Sequence, residues 1–430
     1  MTSGIYGAHA GNKHGTGPVG ATVGGLPRVE PEEVGLSSEA LGRIDSHFRA
    51  RYIEPGKISG ALTLVARRGQ VAFFSALGRM DAERDKPLCE DTIFRIYSMT
   101  KPVTSVALMQ LYERGAFQLG DPVHRWIPAF ESLRVFRQGR HPRFVTEPVQ
   151  RPITVRDLLT HQSGLTYGFM ERTAVDAAYR KLKLDSYTST LAEFVATVAT
   201  LPLEFSPGTR WNYSVATDVL GHLVELLSDQ PLDSYLHEHI FEPLGLRDTG
   251  FSVPTTQRDR LSASYVLGAD GKIALLDDPA DSSYARPCTF FSGGGGLVST
   301  AADYLRFAEM LRRGGTLDGA RILGPRTLRF MTTNHLPKHG DIASLGLGGP
   351  SETRYEGVGF GLGFSVTLDP ARAQTIGSVG EFGWGGMAST AFWVDPTEEL
   401  TVVFMTQLVP SSTFPFRAEL KALVHGAIVA

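Results

Sequence analysis

Segments with strand character sit at both ends of this chain, and helical patterns fill the middle. Near one end, residues 60–66 and 71–76 are apolar, β-branched runs joined by a tight turn at Arg68-Gly69. Near the other, 361–368, 389–395 and 400–405 alternate or run apolar, separated by turn residues such as Asp395-Pro396. Residues 155–160, 191–201, 215–227 and 232–241 instead repeat at helical spacing, as does 38–52 with Leu41, Ile44 and Phe48. Two distant groups of strands can bury their apolar faces together only if the ends of the chain meet. The pattern therefore predicts an α/β (α+β) fold, in which an antiparallel sheet built from both ends is flanked by helices and a mainly helical domain is inserted. The expected division is a flexible tail at 1–27, an α/β domain from 28–130 and 290–430, and the inserted domain at 131–289. A chain of 430 residues has room for this.

Pro102 places one helix closely. Proline lacks an amide hydrogen and clashes with the carbonyl four residues back, so it suits only the first turn. The largely apolar stretch after it (Val103, Val106, Ala107, Leu111) runs to Arg114-Gly115, a natural stop. The helix cannot begin much before Ser98, which then sits at the positive end of the helix dipole with a free backbone N–H. Ser98 and Lys101 lie three apart, on one helical face. An amine within reach of a hydroxyl can help activate it as a nucleophile. The same pair would equally serve as a cap and a solvated first-turn lysine.

Net charge is −3, with 42% hydrophobic and 20% charged residues, which points neither to nucleic acid nor to an anionic membrane. The one basic stretch, Arg134, Arg137, Arg140, Arg143, Arg151 and Arg156, is diluted by Glu131, Glu147 and Asp157 and reads as a solvated loop. Cys89 and Cys288 are too few for a disulfide framework and read as free buried thiols, although a single bridge is possible. His237 and His239 diverge on a helix, and His335 and His339 lack a carboxylate pair, so no metal set is expected. The Gly-rich start has no apolar run resembling a secretory signal, and no window approaches 18 apolar residues. A cytoplasmic protein without a membrane span is the expectation.

Two further stretches carry chemistry. Tyr213 precedes an apolar helical run, with Ser214 as its expected N-cap, and could project into a cleft. A phenol is a poor base at neutral pH, but a nearby ammonium such as Lys101 could stabilise its phenolate. It could also simply anchor a loop. Gly383-Trp384-Gly385-Gly386-Met387 leads into a strand, and its glycines permit close backbone approach. The first free N–H there could complete an oxyanion hole with that of Ser98. A plain Gly-rich turn is the alternative.

Together these stretches resemble the serine β-lactamase and penicillin-binding protein superfamily, whose marks are S-x-x-K, a Tyr or Ser motif, and K-T-G on a strand. The likeness spans about 36–408 and includes residues 158–165 (LLTHQSGL) and 293–297 (GGGGL). Two departures are informative. Where class C relatives have Tyr-x-Asn, this chain has Tyr213-Ser214-Val215, and Trp384 stands where K-T-G has its lysine. A site without that charge should favour neutral apolar acyl groups. In both respects the chain is most similar to the family VIII carboxylesterases. No G-x-S-x-G elbow of the α/β-hydrolases is present.

The resemblance implies a serine hydrolase of small, short-chain esters working through an acyl-enzyme on Ser98 and needing no cofactor. Tyr213, aided by Lys101, would move the proton. The backbone N–H groups of Ser98 and Met387 would hold the oxyanion, and Trp384, Gly385 and Gly386 would contact substrate. The rivals are a β-lactamase or D,D-peptidase, an acyltransferase using the same acyl-enzyme, and a non-catalytic binding protein. Tyr167, Phe169, Phe290, Phe291 and Phe360 could line an acyl pocket or be core.

Overall fold

Arg68 (φ 52°) and Gly69 (φ 80°) both take left-handed backbone, as a two-residue hairpin turn requires. In the computed structural model, which describes residues 21–184, 189–347 and 354–430, this turn joins β1 (Gly60–Arg67) to β2 (Gln70–Asp81). A short β3 (Lys86–Pro87) extends that edge. The other strands come from the far end of the chain. They are β4 (Val358–Phe360), β5 (Ser365–Thr367), β6 (Phe382–Gly385), β7 (Ala391–Asp395) and β8 (Leu400–Met405). The eight-stranded sheet runs β4-β5-β6-β7-β8-β1-β2-β3, antiparallel throughout. Leu400 lies opposite Arg67 and Met405 opposite Leu62, so the two groups of strands join within the sheet as expected.

Alternate residues of a strand face opposite sides, and both sides here are covered. Val65, Trp393 and Phe404 pack with α1 (Ser38–Phe48) and α5 (Phe416–His425). Leu62, Leu64, Val394 and Val403 pack in a second core with α2 (Thr100–Glu113) and α4 (Ala301–Arg312). Every residue of α2 from Thr100 to Leu111 is buried, because α3 (Ala216–Ser228) of the intervening region closes over it. Buried Arg67 reaches the main-chain oxygens of Val34, Gly35 and Ala430, fastening the segment ahead of α1 and the last residue to the sheet.

Several expectations are corrected. The single strand expected over 361–368 is a hairpin of β4 and β5. The position a Cβ on Gly361 would take lies 2.1 Å from the Met331 carbonyl, and Gly363 has φ 97°, so the chain turns there. The first four arginines of the basic stretch, Arg134, Arg137, Arg140 and Arg143, lie not in a loop but in a β-hairpin, Arg134–Arg140 with Arg143–Pro148. Leu203 N–H donates to Arg134 O and Phe136 N–H to Leu203 O, which docks the hairpin while most of its charges stay in water. Residues 1–20 of the expected tail lie outside the described residues. Its remainder is ordered, as a hairpin of Thr22–Val23 and Leu26–Pro27 with Val23 and Leu26 buried. Both cysteines are free, but Cys89 is exposed and Cys288 half-buried rather than both buried. Among the described residues no helix is long and apolar enough to cross a membrane.

Candidate active site

The approach to Ser98 is sharply bent. Tyr97 has φ 43°, a region costly for a bulky residue. It opens a 3₁₀ turn, Tyr97–Met99, that runs directly into α2. Ile96 N–H is held by Leu297 O (3.1 Å), and the Tyr97 ring packs edge-on against Tyr284. Ser98 thus stands at the helix start, as Pro102 predicts.

Lys101 is 2% exposed, and a buried ammonium is costly unless its donors are used. Its Nζ donates to Gly294 O at 2.6 Å and to Ser98 Oγ at 3.1 Å. It also lies 4.5 Å from the ring centre of Tyr213 and 5.3 Å from that of Tyr167, a cation–π arrangement with both. Asp218 organises the glycine loop: its carboxylate accepts from Gly294 N–H (3.0 Å) and Ser292 Oγ (2.5 Å). Burial pushes the Asp218 carboxyl up, opposed by the Ser292 hydrogen bond and the charge of Lys101. Gly294 must be glycine, because a Cβ there would lie 2.6 Å from Asp218 Oδ2.

Tyr213 is carried by a segment tied on both sides. Asn212 N–H donates to His161 O, Val215 N–H to Thr166 O, and Trp211 N–H to Leu345 O. Its hydroxyl is hydrogen-bonded to Ser98 Oγ at 2.6 Å, closer than Lys101 comes. The ring is flanked by those of His161 (5.0 Å), Tyr167 (5.3 Å) and Trp384 (5.6 Å). Burial, then the nearby Lys101 charge, holds His161 well below the usual imidazole range, so this residue packs as a neutral ring. The expected N-cap role of Ser214 falls instead to Val215. Ser214 Oγ accepts from Ala216 N–H and meets His161 Nδ1.

Trp384 lies on β6 itself rather than ahead of a strand. Its Nε1 makes a long hydrogen bond (3.4 Å) to the Tyr213 hydroxyl, and its ring meets Phe360 edge-on. Past β6, Gly386 passes so close to the segment leading into Ser98 that a Cβ would sit 2.4 Å from Ile96 O. Gly386 N–H is taken by Thr390 O, whereas the N–H groups of Ser98 and Met387 have no hydrogen-bond partner among the described residues. Gly385 backs onto the Arg417 guanidinium.

Ser98, Lys101, Tyr213 and Trp384, read from three separate motifs, therefore converge. Of the aromatic residues weighed as pocket lining, Tyr167 joins the site while Phe360 is buried behind Trp384. Asp218, Gly294 and the packing role of His161 carried no individual signal. Their stretches stood out only as glycine-rich or motif-like.

The sequence profile of the Beta-lactamase family matches residues 46–426. Protein Rv1367c of Mycobacterium tuberculosis is 38% identical over 360 residues, 83% of this chain and 88% of its own length. Esterase EstB of Burkholderia gladioli is 32% identical over 400 residues, covering 88% and 93%. Among solved structures, EstCE1, described as a hydrolase with promiscuous acyltransferase activity, is similar with a TM-score of 0.75. It is 29% identical, with 90% of this chain and 99% of that one covered.

Proposed function

The chain belongs to the Beta-lactamase family, and on that premise we propose that it is a serine hydrolase of small, short-chain carboxylic esters with a Ser98-Lys101-Tyr213 centre. The observation that carries the reading is the double contact on Ser98 Oγ, 2.6 Å from Tyr213 and 3.1 Å from Lys101, with neutral Trp384 beside it. Ser98 and Trp384 belong to the α/β domain we assign to 28–130 and 290–430, and Tyr213 to the inserted domain at 131–289. The substrate would enter along that seam.

Ser98 Oγ attacks the ester carbonyl, and Tyr213, aided by Lys101, takes its proton. The N–H groups of Ser98 and Met387 receive the carbonyl oxygen as it becomes an oxyanion. When the C–O bond breaks, Tyr213 returns the proton to the departing alcohol and leaves the acyl group on Ser98. Water then repeats the sequence in reverse, releasing the acid. Trp384, Gly385 and Gly386 wall the acyl side. No charge stands at Trp384 to hold a substrate carboxylate, which favours neutral esters over β-lactams. The similarity to Esterase EstB agrees with this.

A second reading is supported by the similarity to EstCE1: an alcohol in place of water would take the acyl group from Ser98. Turnover of p-nitrophenyl butyrate against a chromogenic cephalosporin tests the esterase assignment, which fails if the cephalosporin is cleaved faster. A fluorophosphonate should add to Ser98 and leave Ser98→Ala unlabelled. Adding alcohols and measuring transfer products against free acid tests the second reading.

A further inference from the structure

Away from Ser98, we propose that Glu381, Asp395 and His425 bind a single divalent transition-metal ion, of which Zn²⁺ is the probe of choice. The pairing of Phe382 with Val394 makes Glu381 and Asp395 the next opposed positions of the β6–β7 ladder. Like charges directly opposite in a sheet repel, and these carboxylates are 3% and 0% exposed. One oxygen of each is used. Lys421 and Thr367 donate to Glu381 Oε1, and the N–H groups of Thr397 and Glu398 to Asp395 Oδ1.

The second oxygens, Glu381 Oε2 and Asp395 Oδ2, have no hydrogen-bond partner, and neither has His425 Nε2, whose side chain is 5% exposed. Ligand atoms of the three residues lie within 4.8 Å of one another. Glu381 Oε2 and His425 Nε2 face each other as a loose ion pair and Asp395 Oδ2 lies beside them, so three buried polar atoms are left without a hydrogen bond, which is costly unless something joins them.

The geometry suits an ion better than direct bonds. His425 Nε2 is 3.6 Å from Glu381 Oε2, too far for a hydrogen bond. Two ligands about 2.1 Å from a Zn²⁺ and that far apart would subtend about 118° at the metal, close to tetrahedral. One imidazole and two carboxylates are an ordinary donor set for such an ion. Lys421 offsets only one of the two negative charges. Glu381 and Lys421 also line a cleft of about 220 Å³, so one of the three groups borders open space. The sequence hides this set because its members are far apart in the chain. The earlier expectation of no metal set considered only histidines near one another. Bound there, the ion would clamp β6 and β7 to α5, behind the strand that carries Trp384.

The test uses the full chain, stripped with EDTA and titrated with Zn²⁺ by calorimetry. One equivalent should bind and raise Tm by several degrees. Co²⁺ should give the visible bands of a four-coordinate N/O site. His425→Gln and Asp395→Asn should bind at least about tenfold more weakly, with ester turnover close to wild type. Equal binding by wild type and both variants would overturn the proposal. If neither variant folds, wild-type protein whose Tm ignores Zn²⁺ and whose Co²⁺ complex stays colourless does so as well. That outcome would assign the three groups to a proton-bridged cluster instead.

Discussion

Replacing Gly386 by alanine should lower kcat by about 10²–10³ while the protein stays folded. The new methyl would sit 2.4 Å from the Ile96 carbonyl and 2.3 Å from Thr390 Oγ1. Both Ile96 and Thr390 are fully buried, so neither side can swing away freely. The two segments must part by about 0.6 Å or more before the contact reaches even 3.0 Å. One segment leads into Ser98 and the other into Met387, so the displacement falls between the two proposed oxyanion donors. A misplacement of about 1 Å can cost about 10² in rate. Losing one donor outright costs about 10²–10³, or roughly 3–4 kcal/mol of barrier. Hydrolysis of p-nitrophenyl butyrate gives kcat and KM, and circular dichroism with Tm reports folding. KM should change by no more than about threefold, since the loss is in the transition state. Gly42→Ala is the control: it is exposed in α1, nothing lies within 4 Å of its Cβ position, and it should retain full activity. A Gly386→Ala protein with normal spectra and kcat within about twofold of wild type would refute the proposed oxyanion geometry.

Tyr213→Phe removes the hydroxyl 2.6 Å from Ser98, and kcat should fall by about 10²–10⁴ with fluorophosphonate labelling slowed in parallel. Unimpaired labelling would move the base role to Lys101. Trp384→Lys introduces the charge that anionic substrates lack here, and should raise the cephalosporin-to-ester ratio of kcat/KM by about tenfold or more. An unchanged ratio would mean that this position does not select the substrate. Burial raises the Glu204 carboxyl to about 7, against the Thr173 hydrogen bond and with help from Asp176. The folded chain therefore keeps a proton between the free-glutamate value of 4.5 and about 7 that the unfolded chain releases. This stability contribution is complete below that window and is lost as pH rises through it. Tm measured from pH 5 to 8 should thus fall more for wild type than for Glu204→Gln, and parallel curves would contradict the assignment.

Where a local rule sufficed, the sequence could be read closely. Pro102 and Gly115 bracket α2, the apolar run of 400–405 marks β8, and Arg68-Gly69 marks its turn. Ser98, Lys101, Tyr213 and Trp384 were legible because each sits in a motif with its own spacing. What escaped depends on contacts between distant segments. Asp218 looks like any acidic residue in the first turn of a helix until Gly294 N–H is seen to lie on it. The arginine stretch became a hairpin because Leu203, far along the chain, satisfies its backbone. The 361–368 run split because a carbonyl of Met331 occupies the space a side chain would need. Hydrophobic period cannot report any of these, since each is set by a partner outside the window.

The seam between β1 and β8 also governs when the enzyme can come into being. Translation delivers Ser98, Lys101 and Tyr213 well before β6 brings Trp384, and β1 must wait for β8 to cover its open edge. Loop closure over that separation is slow. A nascent chain therefore carries Ser98, the proposed nucleophile, for most of synthesis without the strand that brings Trp384 to it. The same seam makes the order of the segments negotiable. Ser37 N–H already donates to Ala427 O, and Val429 N–H to Gly35 O. A linker from the last residue back to the segment ahead of Ser37, keeping residues 22–34 with buried Val23 and Leu26, and new ends cut into the exposed arginine hairpin, would let the ribosome make the sheet strands consecutively.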